Sequence, residues 1–201
     1  MSRKPIKVKF LRSNLKIRID KNKQKGGKFM DYKKMTIENK DDIRLPNEPF
    51  DLFGRLIVSR INNQWSYEIE EFDEVETMVF PDENYDFHQI QEKGFAIGAY
   101  HEGKCIGLAI YEYNWNNYLY LYDLKVNSDF RKMGVASRLI KEGQNYAEEL
   151  GYKGIYTVGQ DNNLATCLFY LKQGFEIGGF NTRDYDYTKQ EGKADVYFYL
   201  K

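Results

Sequence analysis

The sequence predicts an α+β fold with a mixed, mostly antiparallel sheet flanked by helices. Three observations carry this. Strand-like segments pair up around short polar turns in the first two thirds of the chain. After position 134 the apolar spacing changes to three and four residues. From there to the C-terminus, helix and strand alternate.

In order along the chain, compact structure is expected to begin near Pro46-Asn47-Glu48-Pro49-Phe50, where two prolines fix an extended backbone. Residues 52–60 and 65–72 flank Asn62-Asn63 and predict a hairpin, followed by an acidic connection. Residues 95–101 and 104–113 flank Glu102-Gly103 and predict a second. Residues 118–126 continue as a strand whose odd and even positions are both largely apolar or aromatic, which predicts cover on both faces. Over 135–150, Val135, Leu139, Ile140, Tyr146, Ala147 and Leu150 recur at helical spacing, and Gly151 supplies the stop. A strand at 155–158 follows, then a helix at 163–173 with Leu164, Cys167, Leu168 and Leu171 on one side, and strands at 175–180 and 194–200.

Charge divides the chain. Residues 1–28 hold eleven Lys/Arg against Asp20 alone, a balance of +10; because the whole chain has 30 of each sign, residues 29–201 carry −10. The sequence thus predicts a basic N-terminal extension over 1–28 and one domain over 29–201, with Met30 and Met35 as further candidate starts of translation. An acidic body favours a cationic partner over nucleic acid. No run approaches the roughly 20 apolar residues of a membrane span and no apolar block marks a secretory signal, so a cytoplasmic protein is expected. Cys105 and Cys167 form no metal or redox spacing and are expected as reduced core thiols; with His88 and His101 the only histidines, no metal site is expected.

The most informative passage joins strand 118–126 to helix 135–150 through Asn127-Ser128-Asp129-Phe130-Arg131-Lys132-Met133-Gly134. A turn ending in Gly at a helix start presents unpaired N–H groups and the positive end of the helix dipole, which suits a phosphate. Arg131 and Lys132 add positive charge, Gly134 admits the anion to the backbone, Ala136 avoids crowding, and Ser137 offers a hydroxyl. A surface loop with incidental basic residues fits the local chemistry equally. The segment carries neither GxxxxGK[ST] nor GxGxxG.

Arg131-x-x-Gly134-x-Ala136 resembles the R/Q-x-x-G-x-G/A signature of the GNAT superfamily of N-acetyltransferases. Asn163-Leu164-Ala165-Thr166-Cys167-Leu168-Phe169-Tyr170 and Gly174-Phe175 resemble its later motif, at the spacing of one strand–helix–strand–helix unit. Over residues 46–201 the likeness narrows: Pro46 to Phe50, the Trp65 hairpin, Asn114-Trp115-Asn116, Gln160 to Asn163 and Glu191-Gly192-Lys193-Ala194 resemble the streptothricin acetyltransferases, which act in antibiotic resistance.

The resemblance implies acetyl-CoA as co-substrate, its pyrophosphate on residues 131–137 (Arg131, Lys132, Met133, Gly134, Val135, Ala136, Ser137) and its pantetheine arm on the backbone of Leu124 and Val126. It implies direct transfer of the acetyl group to an amine, with Tyr170 donating a proton or a hydrogen bond to the departing thiol. Asp123 is a candidate base, with Tyr122 and Glu112 behind it, and equally a structural acceptor. Asn163 caps its helix, binds the cofactor, or does both. Nine acids and no Lys or Arg lie between Tyr67 and His88, which suits a cationic small molecule such as the β-lysine moiety of streptothricin, with Tyr85, Phe87, Trp65 and Phe72 as aromatic walls. Another amine (a protein N-terminus or a polyamine) and a non-catalytic acyl-CoA-binding module are the alternatives. The sequence leaves the oligomeric state open, a homodimer included.

Overall fold

The computed structural model describes residues 30–201, so the basic stretch 1–28 lies outside the described residues. Burial alternates with a period of two in residues 52–56, 155–160 and 195–198, whereas residues 94–100 and 106–111 are buried on both faces. The strands are β1 (Asp31–Lys34), β2 (Phe50–Ile61), β3 (Gln64–Met78), β4 (Gly94–His101), β5 (Lys104–Glu112), β6 (Leu119–Val126), β7 (Ile155–Gln160), β8 (Glu176–Asn181) and β9 (Asp195–Leu200); the α-helices are α1 (Phe87–Lys93), α2 (Val135–Glu149) and α3 (Leu164–Lys172). Seven strands form one sheet in the order β1-β4-β5-β6-β7-β9-β8, and β2 and β3 form a separate hairpin. Every pairing in the large sheet is antiparallel except β6 with β7.

Three expectations are corrected. Compact structure begins before Pro46: β1 pairs with β4, and a 3-10 helix over Ile37–Arg44 buries Ile43. The acidic connection after residue 72 is strand, because β3 continues to Met78 opposite β2. α1 fills the stretch before β4, with Asp86 accepting from the Gln89 amide at 3.0 Å and only Phe87 and Ile90 buried.

The sheet has two unequal faces. Beneath α2 and α3 lies the main core, in which Tyr111, Leu121, Leu139, Ile155, Cys167 and Phe198 are essentially inaccessible. On the other face a smaller core under α1 gathers Met35, Ile43, Phe87, Ile90, Leu108 and Ile110. Paired residues of an antiparallel ladder share a face. Tyr111 pairs with Leu121, whereas Ile110 pairs with Asp123 and Leu108 with Lys125, so the C-terminal half of β6 directs Asp123 and Lys125 to the α1 side. The predicted double cover of β6 does not hold: Leu119 and Leu121 are buried on the main-core face, but Tyr120 on the other face is half-buried, Tyr122 is exposed, and residues 123–126 are half-buried.

Cys167 is buried and Cys105 half-buried, both unbonded to another sulfur; burial pushes the Cys105 thiol up to about 11 and the Cys167 thiol up to about 12. No described helix is long and apolar enough to cross a membrane.

On α2 the buried positions Val135, Leu139, Gly143 and Ala147 fall one turn apart, while Leu150, expected in the apolar stripe, is 49% exposed at the helix end. Gly143 is the point of closest approach: a Cβ there would run into the Tyr111 ring, whose hydroxyl donates to the Leu139 carbonyl at 3.1 Å. Gly143→Ala should therefore destabilise the protein by about 2 kcal/mol from overpacking, although alanine favours a helix by up to about 1 kcal/mol. A thermal melt tests this; an unchanged or raised Tm would show that the ring has room to move.

Candidate active site

The site forms where β6 and β7 part. The two strands pair at Leu119 with Ile155 and Tyr120 with Tyr156, and no further pair follows. Just beyond, a bulge opposite Ile110 and Tyr111 places Tyr122 outside the register of β5. A bulge bends its strand and increases its twist, which carries the rest of β6 away from β7. Side chains bracket the opening. The Thr157 hydroxyl donates to the Leu121 carbonyl at 2.9 Å, and Arg131 Nε donates to the Val126 carbonyl at 3.2 Å. Between them lie Leu124 and Val126, half-buried, on a strand edge that β7 no longer covers.

The turn after β6 leads into α2 with unusual backbone. Lys132 has φ +60° and Gly134 has φ +86°, ψ 3°. Gly134 is the N-cap residue of α2 and supplies no side-chain hydrogen bond, whereas Asp86 caps α1 and Asn163 caps α3. The first amides of α2 are thus left for an external acceptor. Nothing stands within 4 Å of the place a Gly134 Cβ would occupy, so this glycine is required by backbone conformation and not by packing. Val135 is 1% exposed and packs in the main core, which leaves its N–H as the group available to a ligand. Lys132 and Met133 are exposed, and Ala136 and Ser137 are half-buried in the first turn.

Arg131 serves the turn itself. Besides the Val126 carbonyl, its guanidinium donates to the Pro49 carbonyl at 2.9 Å and lies 3.7 Å from a Glu48 carboxylate oxygen. Glu48 belongs to the Pro46 to Phe50 motif, but these contacts had no signal in the sequence, because its partners are some 80 residues further on.

Tyr170 reaches the opening from the helix side. It is 6% exposed, held among Phe169, Phe175 and Phe198 with ring centroids 5.2 to 5.5 Å apart. Burial pushes its hydroxyl up to about 12, against a lowering hydrogen bond with Thr157; the nearby Asp123 carboxylate adds to the rise. Asn163, at the start of the same helix, accepts from the Thr166 amide at 3.2 Å, which is the capping role.

Asp123 approaches from the other face. Its carboxylate accepts from the Tyr85 hydroxyl at 3.0 Å and pairs with Lys125 Nζ at 3.3 Å; Lys125 also bonds Glu83 and stands 5.3 Å from the Tyr85 ring centroid. Burial raises the Asp123 pKa, the Lys125 ammonium opposes the rise, and Glu83 adds to it. Glu112 and Tyr122, the reserve candidates, lie on the rim: Glu112 is half-buried opposite Tyr120, and Tyr122 is 48% exposed on the bulge. Among the described residues no group of three or more His, Cys, Asp or Glu is placed to hold a metal ion.

The acidic run 68–86 divides. Asp82 accepts from the Asn47 amide, Glu83 bonds Asn47 and Lys125, and Asp86 caps α1; the other six acids lie exposed on β3. The expected aromatic walls are already engaged: Trp65 faces Arg60, Phe72 faces Arg55, Tyr85 faces Lys125, and Phe87 is buried.

Comparison with known proteins agrees with this geometry. Residues 61–175 match the acetyltransferase (GNAT) family. Streptothricin acetyltransferase A of Bacillus subtilis (strain 168) is 34% identical over 169 residues, which is 84% of this chain and 98% of that protein. The crystal structure of a Bacillus anthracis str. Ames protein assigned as a streptothricin acetyltransferase, in complex with acetyl coenzyme A, aligns with TM-score 0.77 and 27% identity over 86% of this chain and 99% of that one. The structure of nourseothricin acetyltransferase shares the fold, with TM-score 0.71 and 22% identity over 85% of this chain and 97% of that one.

The cap and any ligand role of Asn163 are separable. Asn163→Ala should cost about 1 kcal/mol through the lost cap, while Asn163→Asp, which keeps the accepting oxygen, should melt near the parent. Calorimetry on both variants checks this, and equal losses would show that the cap bond contributes nothing.

Proposed function

The chain belongs to the acetyltransferase (GNAT) family, and on that premise we propose that this acetyl-CoA-dependent N-acetyltransferase modifies an amine of a cationic small molecule, the β-lysine moiety of streptothricin. The observation that carries the reading is the parting of β6 from β7 beside a helix start with no side-chain cap, with Tyr170 in the main core on one side of β6 and Asp123 on the other.

Acetyl-CoA supplies an activated acetyl thioester. The amides of residues 134–137 and the helix dipole would hold its pyrophosphate, and the uncovered edge of β6 at Leu124 and Val126 would pair with its amide-bearing arm. Asp123 takes a proton from the incoming ammonium so that the nitrogen lone pair is free to form the new C–N bond, and the second proton that this nitrogen sheds on becoming an amide goes to the departing thiolate. Tyr170 faces the sulfur as the C–S bond breaks. With its hydroxyl pushed up to about 12, the phenol is neutral at physiological pH and available as a donor. Complete proton transfer to a thiolate of ordinary pKa, about 8.5, would run about 5 kcal/mol uphill, so hydrogen-bond donation to the departing sulfur is the stronger role.

A cationic acceptor is supported by the −10 balance of residues 29–201 and by the sheet face that α1 leaves uncovered. There Tyr120, Tyr156 and Tyr199 stand in register on β6, β7 and β9, with ring centroids 4.6 and 5.6 Å apart. Their rings stack on one another, the Tyr156 hydroxyl accepting from Asn114, and are bordered by Glu112 opposite Tyr120 and by Asp195 on β9. Phenol oxygens and carboxylates accept from ammonium or guanidinium groups.

Purified protein with acetyl-CoA and streptothricin should give antibiotic heavier by one acetyl group; an unchanged mass would remove the streptothricin assignment, and the absence of turnover with every amine offered would favour a binding module. Tyr170→Phe should lower kcat by about 10²-fold while the acetyl-CoA Kd stays near the parent value. The ionised form of Asp123 is the active one and its pKa is raised, so kcat/KM should fall with decreasing pH through a midpoint above the ordinary aspartate value of about 3.9. Asp123→Asn should abolish that limb; its persistence would place the base elsewhere.

A further inference from the structure

Two neighbouring residues ahead of β2 reach both halves of the site. Glu48 grips the turn after β6: one carboxylate oxygen accepts from the Ser128 amide at 2.6 Å and lies 3.7 Å from Arg131, while the other accepts from Asn127 Nδ2 at 2.8 Å. Asn47 grips the segment that serves the base. Its side-chain amide donates to the Pro81 carbonyl at 2.9 Å and to Glu83 at 3.1 Å, and its backbone amide donates to Asp82 at 2.8 Å. Glu83 in turn bonds Lys125, the cation paired with Asp123, and Lys125 also reaches the Leu45 carbonyl at 3.5 Å.

We propose that Glu48 and Asn47 are positioning residues of the transferase, Glu48 setting the conformation of the pyrophosphate turn and Asn47 fixing, through Glu83 and Lys125, the charge environment of the Asp123 carboxylate. This rests on the reading of Asp123 as the base; the part concerning Glu48 needs only acetyl-CoA.

The chemistry of the two grips differs. Gly134 takes its positive φ freely, but Lys132 also sits at positive φ, a conformation disfavoured for a residue with a side chain. A charged acceptor on the Ser128 amide, combined with Arg131 drawn between Glu48, Pro49 and Val126, ties down the N-terminal side of the turn, leaving the amides of α2 aimed outward. On the base side, the groups against Asp123 are Lys125 from its own strand and Glu83 and Tyr85 from the loop before α1; Tyr170 lies on the other side of β6, where the Asp123 charge adds to the rise of its hydroxyl pKa. Glu83 shares Lys125 with Asp123. Releasing Glu83 would leave Lys125 to Asp123 alone and remove a neighbouring negative charge, and both changes favour the ionised carboxylate.

The test uses the full chain and needs no acceptor. Calorimetric titration with acetyl-CoA should show a Kd about tenfold weaker for Glu48→Gln, which keeps an accepting oxygen but loses the charge, and weaker again for Glu48→Ala. Hydrogen exchange should rise at residues 127–134 and stay at the parent level in α3. Asn47→Ala should leave the acetyl-CoA Kd within about twofold of the parent, while the Asp123 carboxyl, followed by carbon NMR through a pH titration, ionises at lower pH. Folded Glu48 variants with parent affinity and parent exchange would overturn the first role. An Asp123 titration unmoved by Asn47→Ala would overturn the second. If the expected shifts occur and streptothricin is not acetylated, the positioning roles stand and the acceptor assignment alone fails.

Discussion

The parting of β6 from β7 is the constraint on which the rest of the site depends. Backbone donors and acceptors left inside a protein must find partners. Most of the sheet supplies them by pairing, but β6 has a second neighbour only at Leu119 and Tyr120. Thr157 and Arg131 satisfy carbonyls at the two ends of the exposed edge, and β7 does not pair with the stretch between. A ligand that paired there like a strand, as proposed, would gain hydrogen bonds without requiring particular side chains, and its recognition surface would leave little trace in residue identity.

The same opening sorts the ionisable groups. Tyr170, packed among rings on the helix side, is kept protonated by burial, and Asp123, on the opposite side, is kept near a cation. The two groups occupy opposite sides of β6, Tyr170 in the main core and Asp123 toward α1. Lys125 holds Asp123 from becoming wholly protonated, whereas burial and Glu83 keep it from becoming an inert, fully stabilised carboxylate.

Much of this was legible in the sequence where local physics decided it. Strand-like segments flanking Asn62-Asn63 and Glu102-Gly103 gave β2, β4 and β5, helical spacing gave α2 and α3, and Gly134 before an apolar stripe marked the turn. β1 escaped because Asp-Tyr-Lys-Lys has no apolar alternation and is held at the sheet edge by backbone pairing. α1 escaped because seven residues with two buried apolar positions carry little periodicity. The far half of β3 has acids on both faces, which reads as loop. Tyr170 was singled out through its spacing from Asn163. Glu48 stood within the Pro46 to Phe50 motif, but its partners 80 residues away left no local trace of what it bonds. The stacked tyrosines were equally hidden: with 17 tyrosines in the chain, only the strand order β6-β7-β9 singles out Tyr120, Tyr156 and Tyr199.

β2 gives the site its gauge. Its approach at Glu48 and Pro49 holds the turn after β6, while further along it meets the end of β7: Gly54 bridges to Asn163, the Leu56 amide donates to the Asp161 carbonyl at 2.9 Å, and Arg55 pairs with Asp161 at 3.6 Å. One extended segment is therefore fastened to the turns that follow both parted strands, like a crossbar between two posts. A crossbar is specified by its length. Losing or gaining a single residue between 49 and 54 would move one fastening by about 3.4 Å and turn Gly54, Arg55 and Leu56 to the wrong faces. Where side chains along this stretch point to solvent, composition is free to drift; residue count is not.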